Sequence, residues 1–141
     1  MKVIKLQEAH PLYEMAVINP SLCKKLKIQV EVEQRDEGPI PHLHCYHSKE
    51  RNPRECSFIR LDKPEYTDFH KQNKKLDRKQ KKEFLQVMNE IIEVGFGENT
   101  MQMTGYEFAV FTWVTTYENG DYSKFNVSKN KKLVIPDYNL L

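Results

Sequence analysis

Strict alternation of apolar and polar residues marks the clearest strand of this chain. Every second residue from 26 to 33 is apolar, and a period of two is typical of a half-buried β-strand. Residues 13–18 and 55–61 also have strand composition, as do residues 42–47. The connections between them are short, which predicts an antiparallel meander. The inward face of the alternating strand should carry Leu26, Ile28, Val30 and Val32.

The period changes after Pro64. Asp77 followed by Gln80 is a variant of the capping box that begins helices, and an apolar stripe at helical spacing follows. Gly95 and Gly97 are suited to end this helix. The predicted stripe consists of Phe84, Leu85, Met88, Ile91 and Ile92.

A second capping box, Thr104 with Glu107, precedes an apolar run that contains Trp113. The run is rich in β-branched and aromatic residues and ends near Asn119-Gly120, so a strand followed by a hairpin turn is the alternative. We favour a buried helix over residues 106–118, with Trp113 in the core. Residues 121–141 should form an extended tail that docks as an edge strand or clasp.

Together these elements predict a single α+β domain over residues 1–141. Its antiparallel sheet of three or four strands is packed on one face by two helices. The 141 residues are 39% hydrophobic and 30% charged, as in ordinary globular proteins. No apolar run approaches the ~20 residues that span a bilayer, so no membrane partner is expected.

A cytoplasmic location is expected because residues 1–5 are not followed by the apolar core of a signal peptide. The three cysteines contain no Cys-x-x-Cys pair, which favours reduced thiols. Phosphate-loop, dinucleotide-binding and nucleophile-elbow motifs are absent from the sequence. We therefore expect no cofactor, and the sequence is compatible with a homo-oligomer.

Candidate chemistry concentrates in residues 38–47, which contain three of the five histidines. Alternation along a strand places His42, His44 and Tyr46 on one face and His47 on the other. The first two imidazoles would be roughly 7 Å apart, close enough to converge on one ion or anion.

The hairpin register adds carboxylates to this face. Matching the buried faces of the two strands places Glu33 opposite His42 and Glu31 opposite His44. Three interpretations stay open. The histidines could bind a metal, with a third ligand from these glutamates or His70. They could serve as acid, base or anion contact beside Tyr46, or they could be structural cross-strand partners of the glutamates on a partly solvated sheet face.

A second candidate is the segment of residues 71–82, which has a net charge of +6 and leaves −4 for the rest of a chain of net +2. Clustered cations gain affinity for polyanions by releasing counterions. Such lysines can equally form a solvated helix face, and no aromatic residues alternate with them as in many single-strand binders. The candidate ligand-binding cations are Lys74, Lys75, Arg78, Lys79 and Lys82.

Residues 41–45, Pro-His-Leu-His-Cys, resemble the hallmark of the domain of unknown function 4160 family, in which a Pro-His-aromatic-His strand follows a similar loop. The resemblance covers roughly residues 28–113. It implies a compact α+β domain with the sheet first, and genes of mobile-element or toxin-antitoxin-like type. It implies no reaction. This chain departs from the pattern at Leu43, in the insertion of residues 48–54 and in the tail after Gly120.

The leading hypothesis is a small binding or accessory domain. It would engage a partner protein or an anionic ligand, a nucleotide or nucleic acid, through the histidine strand and the lysine-rich helix start. A metal- or histidine-dependent phosphodiesterase acting on RNA or a nucleotide is one alternative. A structural protein-protein interaction domain is the other.

Overall fold

The computed structural model describes residues 16–17, 26–33, 38–67, 74–96 and 98–141. Four antiparallel strands form one sheet in the order β1-β2-β3-β4, the predicted meander. The remainder of the predicted strand at residues 13–18 lies outside the described residues. The strands are β1 (Ala16–Val17), β2 (Gln29–Val32), β3 (His42–Tyr46) and β4 (Cys56–Arg60).

The predicted inward face of β2 is confirmed. Ile28, Val30 and Val32 are fully buried and Leu26 is nearly so. Val30 pairs with Cys45 across the hairpin, so the apolar faces of β2 and β3 coincide as expected.

Helix α1 spans Arg78–Asn89, and its predicted capping box is present. The Asp77 carboxylate accepts from the Gln80 backbone at 2.8 Å, and the Gln80 side chain accepts from the Asp77 backbone at 2.9 Å. The predicted end of the helix is wrong. Glu90 is already extended, and the two isoleucines that follow begin a strand.

That strand, β5 (Ile91–Phe96), pairs with β6 (Asn99–Thr104) in a two-stranded antiparallel ribbon. Ile91 and Ile92 therefore do not belong to the helical stripe, and Gly95 lies within a strand instead of capping a helix. β-branched residues favour the extended conformation. Pairing with β6 supplies the backbone hydrogen bonds that a continuation of helix α1 would have supplied. The predicted cap at Gly97 lies outside the described residues.

Helix α2 (Gly105–Tyr117) confirms the buried helix predicted for this run. Thr104 caps it and Glu107 completes the box. Trp113 is fully buried. Asn119 and Gly120 follow the helix with positive φ angles of 50° and 81°, the left-handed conformation typical of helix ends. Its first residue, Gly105, lies so close to α1 that an added Cβ would be 2.1 Å from the Val87 carbonyl oxygen.

The tail docks on the domain as a clasp and does not add an edge strand. An isolated bridge joins Val127 to Leu133, and a 3-10 turn spans Tyr138–Leu140. Tyr138 is 1% exposed, packs edge-on against Phe84, and donates its hydroxyl to the Arg60 carbonyl at 2.6 Å.

The α+β class predicted from the sequence is confirmed. The main core combines the inward faces of β2 and β3 with buried residues of α1, α2, the ribbon and the tail. Within the described ranges, no helix has the length and apolar content needed to cross a bilayer.

Candidate functional site

Five residues on and beside the second face of the sheet form what we call the histidine cluster: Glu31, His42, His44, Tyr46 and Arg51. The strand pairing places Glu31 opposite His44, as predicted. Both faces of β3 are buried, so the partly solvated face expected for structural cross-strand partners is not observed. His47 contacts Ser57, which pairs with Cys45 on the opposite side of the strand, as parity requires.

His42 is held in one tautomer. Its Nδ1 lies 2.8 Å from the Ile40 carbonyl oxygen, which can only accept, so Nδ1 carries a proton. In the neutral ring Nε2 is then the basic nitrogen, an arrangement shared by metal-binding and general-base histidines. The ring is 1% exposed. It stacks on His44 at 5.5 Å between centroids and approaches Trp113 at the same distance.

Glu31 is a buried carboxylate, 1% exposed. Its Oε2 lies 2.9 Å from Nη2 of Arg51, and its Oε1 accepts from the Gln29 side chain at 2.8 Å. The Arg51 guanidinium also lies 5.7 Å from the centroid of the Tyr46 ring. Burial raises the pKa of Tyr46 to about 12. The carboxylate is therefore fixed by a cation from the β3–β4 connection, a partner that the sequence did not indicate.

Glu33 is placed differently from Glu31. It follows the end of β2 and is half-buried. Its backbone carbonyl accepts from the Tyr117 hydroxyl, and its predicted pairing with His42 is not among the paired positions of the two strands.

The metal hypothesis requires three or four ligand side chains around one point. Among the described residues, no group of three or more His, Cys, Asp or Glu side chains is arranged to hold an ion. His70, the third ligand considered, lies outside the described residues.

The second candidate site, on the lysine-rich segment, is exposed, whereas His42 and His44 are buried. Lys74, Lys75, Arg78, Lys79 and Lys82 are all exposed, and we call them the basic surface. Lys74 lies 3.5 Å from Glu55 in a pair whose side chains are both about half exposed. The neighbouring Lys81 is used internally, since its Nζ donates to the carbonyls of Asn139 and Leu141.

Contacts with the sheet hold the basic surface in place. The Lys74 backbone donates to the Cys56 carbonyl at 2.9 Å, and the Ser57 hydroxyl donates to the Lys74 carbonyl. Because the Ser57 hydroxyl donates its hydrogen to the Lys74 carbonyl, its oxygen accepts a hydrogen bond from the Nε2–H of His47 at 2.7 Å. Burial is the main cause that lowers the pKa of His47, and the positive charge of Lys74 lowers it further.

The two candidate sites therefore differ in access. Apart from Arg51, the histidine cluster is buried, and its carboxylate is paired with that arginine, whereas the basic surface is exposed and attached to the sheet. Sequence reasoning missed Arg51 and Phe58, whose ring packs edge-on against His44 at 4.8 Å. Phe58 could have been identified from the β3–β4 register, while Arg51 carries no periodic signal.

Comparison with family models, curated proteins and solved structures gave no match. The resemblance to the domain of unknown function 4160 family therefore stays a prediction.

Proposed function

We propose that this chain is a small binding domain that contacts the phosphate groups of a nucleic acid through its basic surface. The observation that carries the proposal is the exposure of five cations with little local compensation. In the described part of the chain, Lys74 pairs with Glu55, and the other four cations form no ion pair.

The position of these cations supports a binding role. Positive side chains at a helix start oppose the helix dipole, at a cost of a few tenths of a kcal/mol each. The N-cap Asp77 places one carboxylate at this end of α1, where it accepts from the backbone of Gln80. The first turn itself contains no acidic residue, so a bound phosphate would add negative charge where the cations outnumber the single carboxylate.

Anchoring supports the proposal as well. The backbone of Lys74 attaches the segment that carries the cations to β4, through the Cys56 carbonyl and the Ser57 hydroxyl. Among the ammonium groups of the basic surface, only that of Lys74 contributes to this attachment in the described residues, through its long contact with Glu55. A preorganised surface loses less conformational entropy when a ligand binds.

The histidine cluster is assigned a different role. His42 is 1% exposed and His44 7%, and a polyanion in solution cannot reach side chains buried to this extent. We propose that the cluster holds the sheet in register, with Glu31 neutralised by Arg51, and leaves ligand contact to the basic surface.

A matched pair of triple variants tests the proposal. Replacing Lys75, Lys79 and Lys82 by Gln removes three charges from the basic surface. Replacing Lys129, Lys131 and Lys132 by Gln removes three from exposed positions of the tail. Binding of a labelled single-stranded oligonucleotide is followed by fluorescence anisotropy at several salt concentrations.

The first variant should bind at least about ten-fold more weakly at low salt. The slope of log affinity against log salt should become shallower by roughly 2, since each phosphate contact on a single strand contributes about 0.7. The tail variant should retain the wild-type slope. Equal losses in the two variants would contradict the assignment of the basic surface, because only the total charge would then matter. Wild-type protein that binds neither this strand nor its duplex would end the proposal.

A further inference from the structure

A shallow groove of about 740 Å³ adjoins the basic surface and shares Lys75 with it. Tyr66 and Glu65 line the groove, Arg60 lies at the end of β4, and Leu140 comes from the tail. These segments are far apart in sequence, so the groove exists only in the folded protein.

Tyr66 gives the groove a fixed aromatic wall. Its hydroxyl accepts from the backbone N–H of Leu76, the residue after Lys75, at 3.0 Å. The ring is half-buried and packs against the main core, and burial raises the pKa of its hydroxyl. A flat side chain held in this way can stack on a planar ligand at little further cost in entropy.

The charged groups of the groove have distinct roles. Arg60 donates through Nε and Nη2 to the two carboxylate oxygens of Asp62, each at 2.8 Å, so its charge is largely compensated. Lys75 is exposed and forms no ion pair among the described residues. The exposed Glu65 carboxylate is an acceptor suited to the ring N–H and amino groups of bases.

An aromatic ring, an exposed cation and a carboxylate acceptor within one groove match the base face, the phosphate and the base N–H groups of a nucleotide. We propose that the groove takes one unstacked nucleotide of a single-stranded nucleic acid, with its base against Tyr66 and its phosphate at Lys75. This inference rests on the proposed function and adds to it a preference for single strands. A duplex keeps its bases stacked and paired, so it would contact the basic surface alone.

The first experiment separates base from phosphate. Affinities are measured at one salt concentration for an oligothymidine and for an abasic strand of the same length. Stacking of one base contributes about ten-fold in affinity, so the abasic strand should bind about ten-fold more weakly. Equal affinities would overturn the inference and leave the proposed function intact, and so would binding of a duplex but of neither single strand. Failure of both strands and of a duplex to bind would overturn the proposed function itself.

The second experiment removes the aromatic wall. Tyr66→Leu should weaken binding of oligothymidine about ten-fold and leave the abasic strand unaffected. Tyr122→Leu makes the same change at a half-buried tyrosine outside this groove and should keep wild-type affinity for both strands. Equal effects of the two variants would contradict a stacking role for Tyr66.

A third experiment does not require the fold to tolerate a substitution at Tyr66. Leu140 is 71% exposed and Met101 57%, so a glutamate at either position should leave the fold intact. Leu140→Glu places a negative charge at the groove and should weaken oligothymidine binding several-fold. Met101→Glu adds the same charge outside the groove and should change affinity by less than about two-fold. Indistinguishable variants would overturn the assignment of the groove.

Discussion

The ion pair between Glu31 and Arg51 allows a quantitative test of the histidine cluster. Arg51→Gln removes the cation and keeps a long polar side chain. Arginine and glutamine suffer similar strain at the φ angle of 55° found there, so backbone strain does not contribute to the difference. Breaking a fully buried pair costs about 3–5 kcal/mol, and breaking an exposed pair about 0–1 kcal/mol.

The geometry places this pair between these limits. The Glu31 side chain is 1% exposed and that of Arg51 is 39% exposed, so solvent screens one partner and reduces the effect. We expect Arg51→Gln to lower the free energy of unfolding by about 2 kcal/mol. For a domain of this size the melting temperature should fall by roughly 6 °C.

Urea unfolding at neutral pH measures the change, with Lys74→Gln as the control. Lys74 and Glu55 are 56% and 49% exposed and 3.5 Å apart, so this control should cost less than about 0.5 kcal/mol. The double variant Glu31→Gln with Arg51→Gln should regain part of the loss, because no unpaired charge remains buried. A loss for Arg51→Gln no larger than that of the control would contradict a stabilising buried pair, and so would simple additivity of the Glu31→Gln and Arg51→Gln effects.

Three further predictions concern the scaffold. Gly105→Ala would bring a Cβ to 2.1 Å from the Val87 carbonyl oxygen, and thermal unfolding should show a loss of about 3 kcal/mol as the two helices are forced apart. The lowered pKa of His47 means that the unfolded state binds more protons. The contribution of His47 to the free energy of unfolding should therefore be complete above pH 6.5 and decrease as the pH falls below that value. Denaturation of His47→Gln should lack this pH dependence. Lys81→Met should speed hydrogen exchange of the tail amides because it removes two bonds to tail carbonyls, whereas Lys82→Met at the next, exposed position should not.

Local patterns predicted well wherever the interacting groups are close in sequence. Both capping boxes join residues three positions apart, and both are present. The register of Glu31 and His44 followed from parity in a hairpin, since a slip by one residue would have turned the apolar side chains of β2 away from the main core. Ile91 and Ile92 satisfied the helical period and the composition of a strand at once, and pairing with β6 decided the outcome.

The chemistry of the candidate sites was harder to predict because it depends on contacts between distant segments. Arg51 contacts Glu31 from the β3–β4 connection, where its own φ angle is left-handed. No periodic pattern in the sequence indicates this contact. Tyr66 lies nine positions before Lys75 in sequence, so the lysine segment appeared to lack an aromatic neighbour. The hydrogen bond from the Leu76 N–H to the Tyr66 hydroxyl joins the ring to this segment.

The outer edge of β4 explains why these segments meet. Cys56, Phe58 and Arg60 direct backbone groups away from β3, and an unsatisfied edge of this kind invites pairing with other chains. Here connecting segments occupy it. The Cys56 carbonyl accepts from Lys74, the Phe58 carbonyl from Thr67, and the Arg60 carbonyl from the Tyr138 hydroxyl.

The same contacts protect the edge and assemble the two proposed binding features. Because the edge is covered through backbone groups and a few buried hydroxyls, the lysine side chains of the basic surface are not needed to cover it. Replacing their charges should therefore change ligand affinity while leaving the free energy of unfolding nearly unaltered. Changes to the buried attachment at Ser57, whose hydroxyl donates to the Lys74 carbonyl, should alter both.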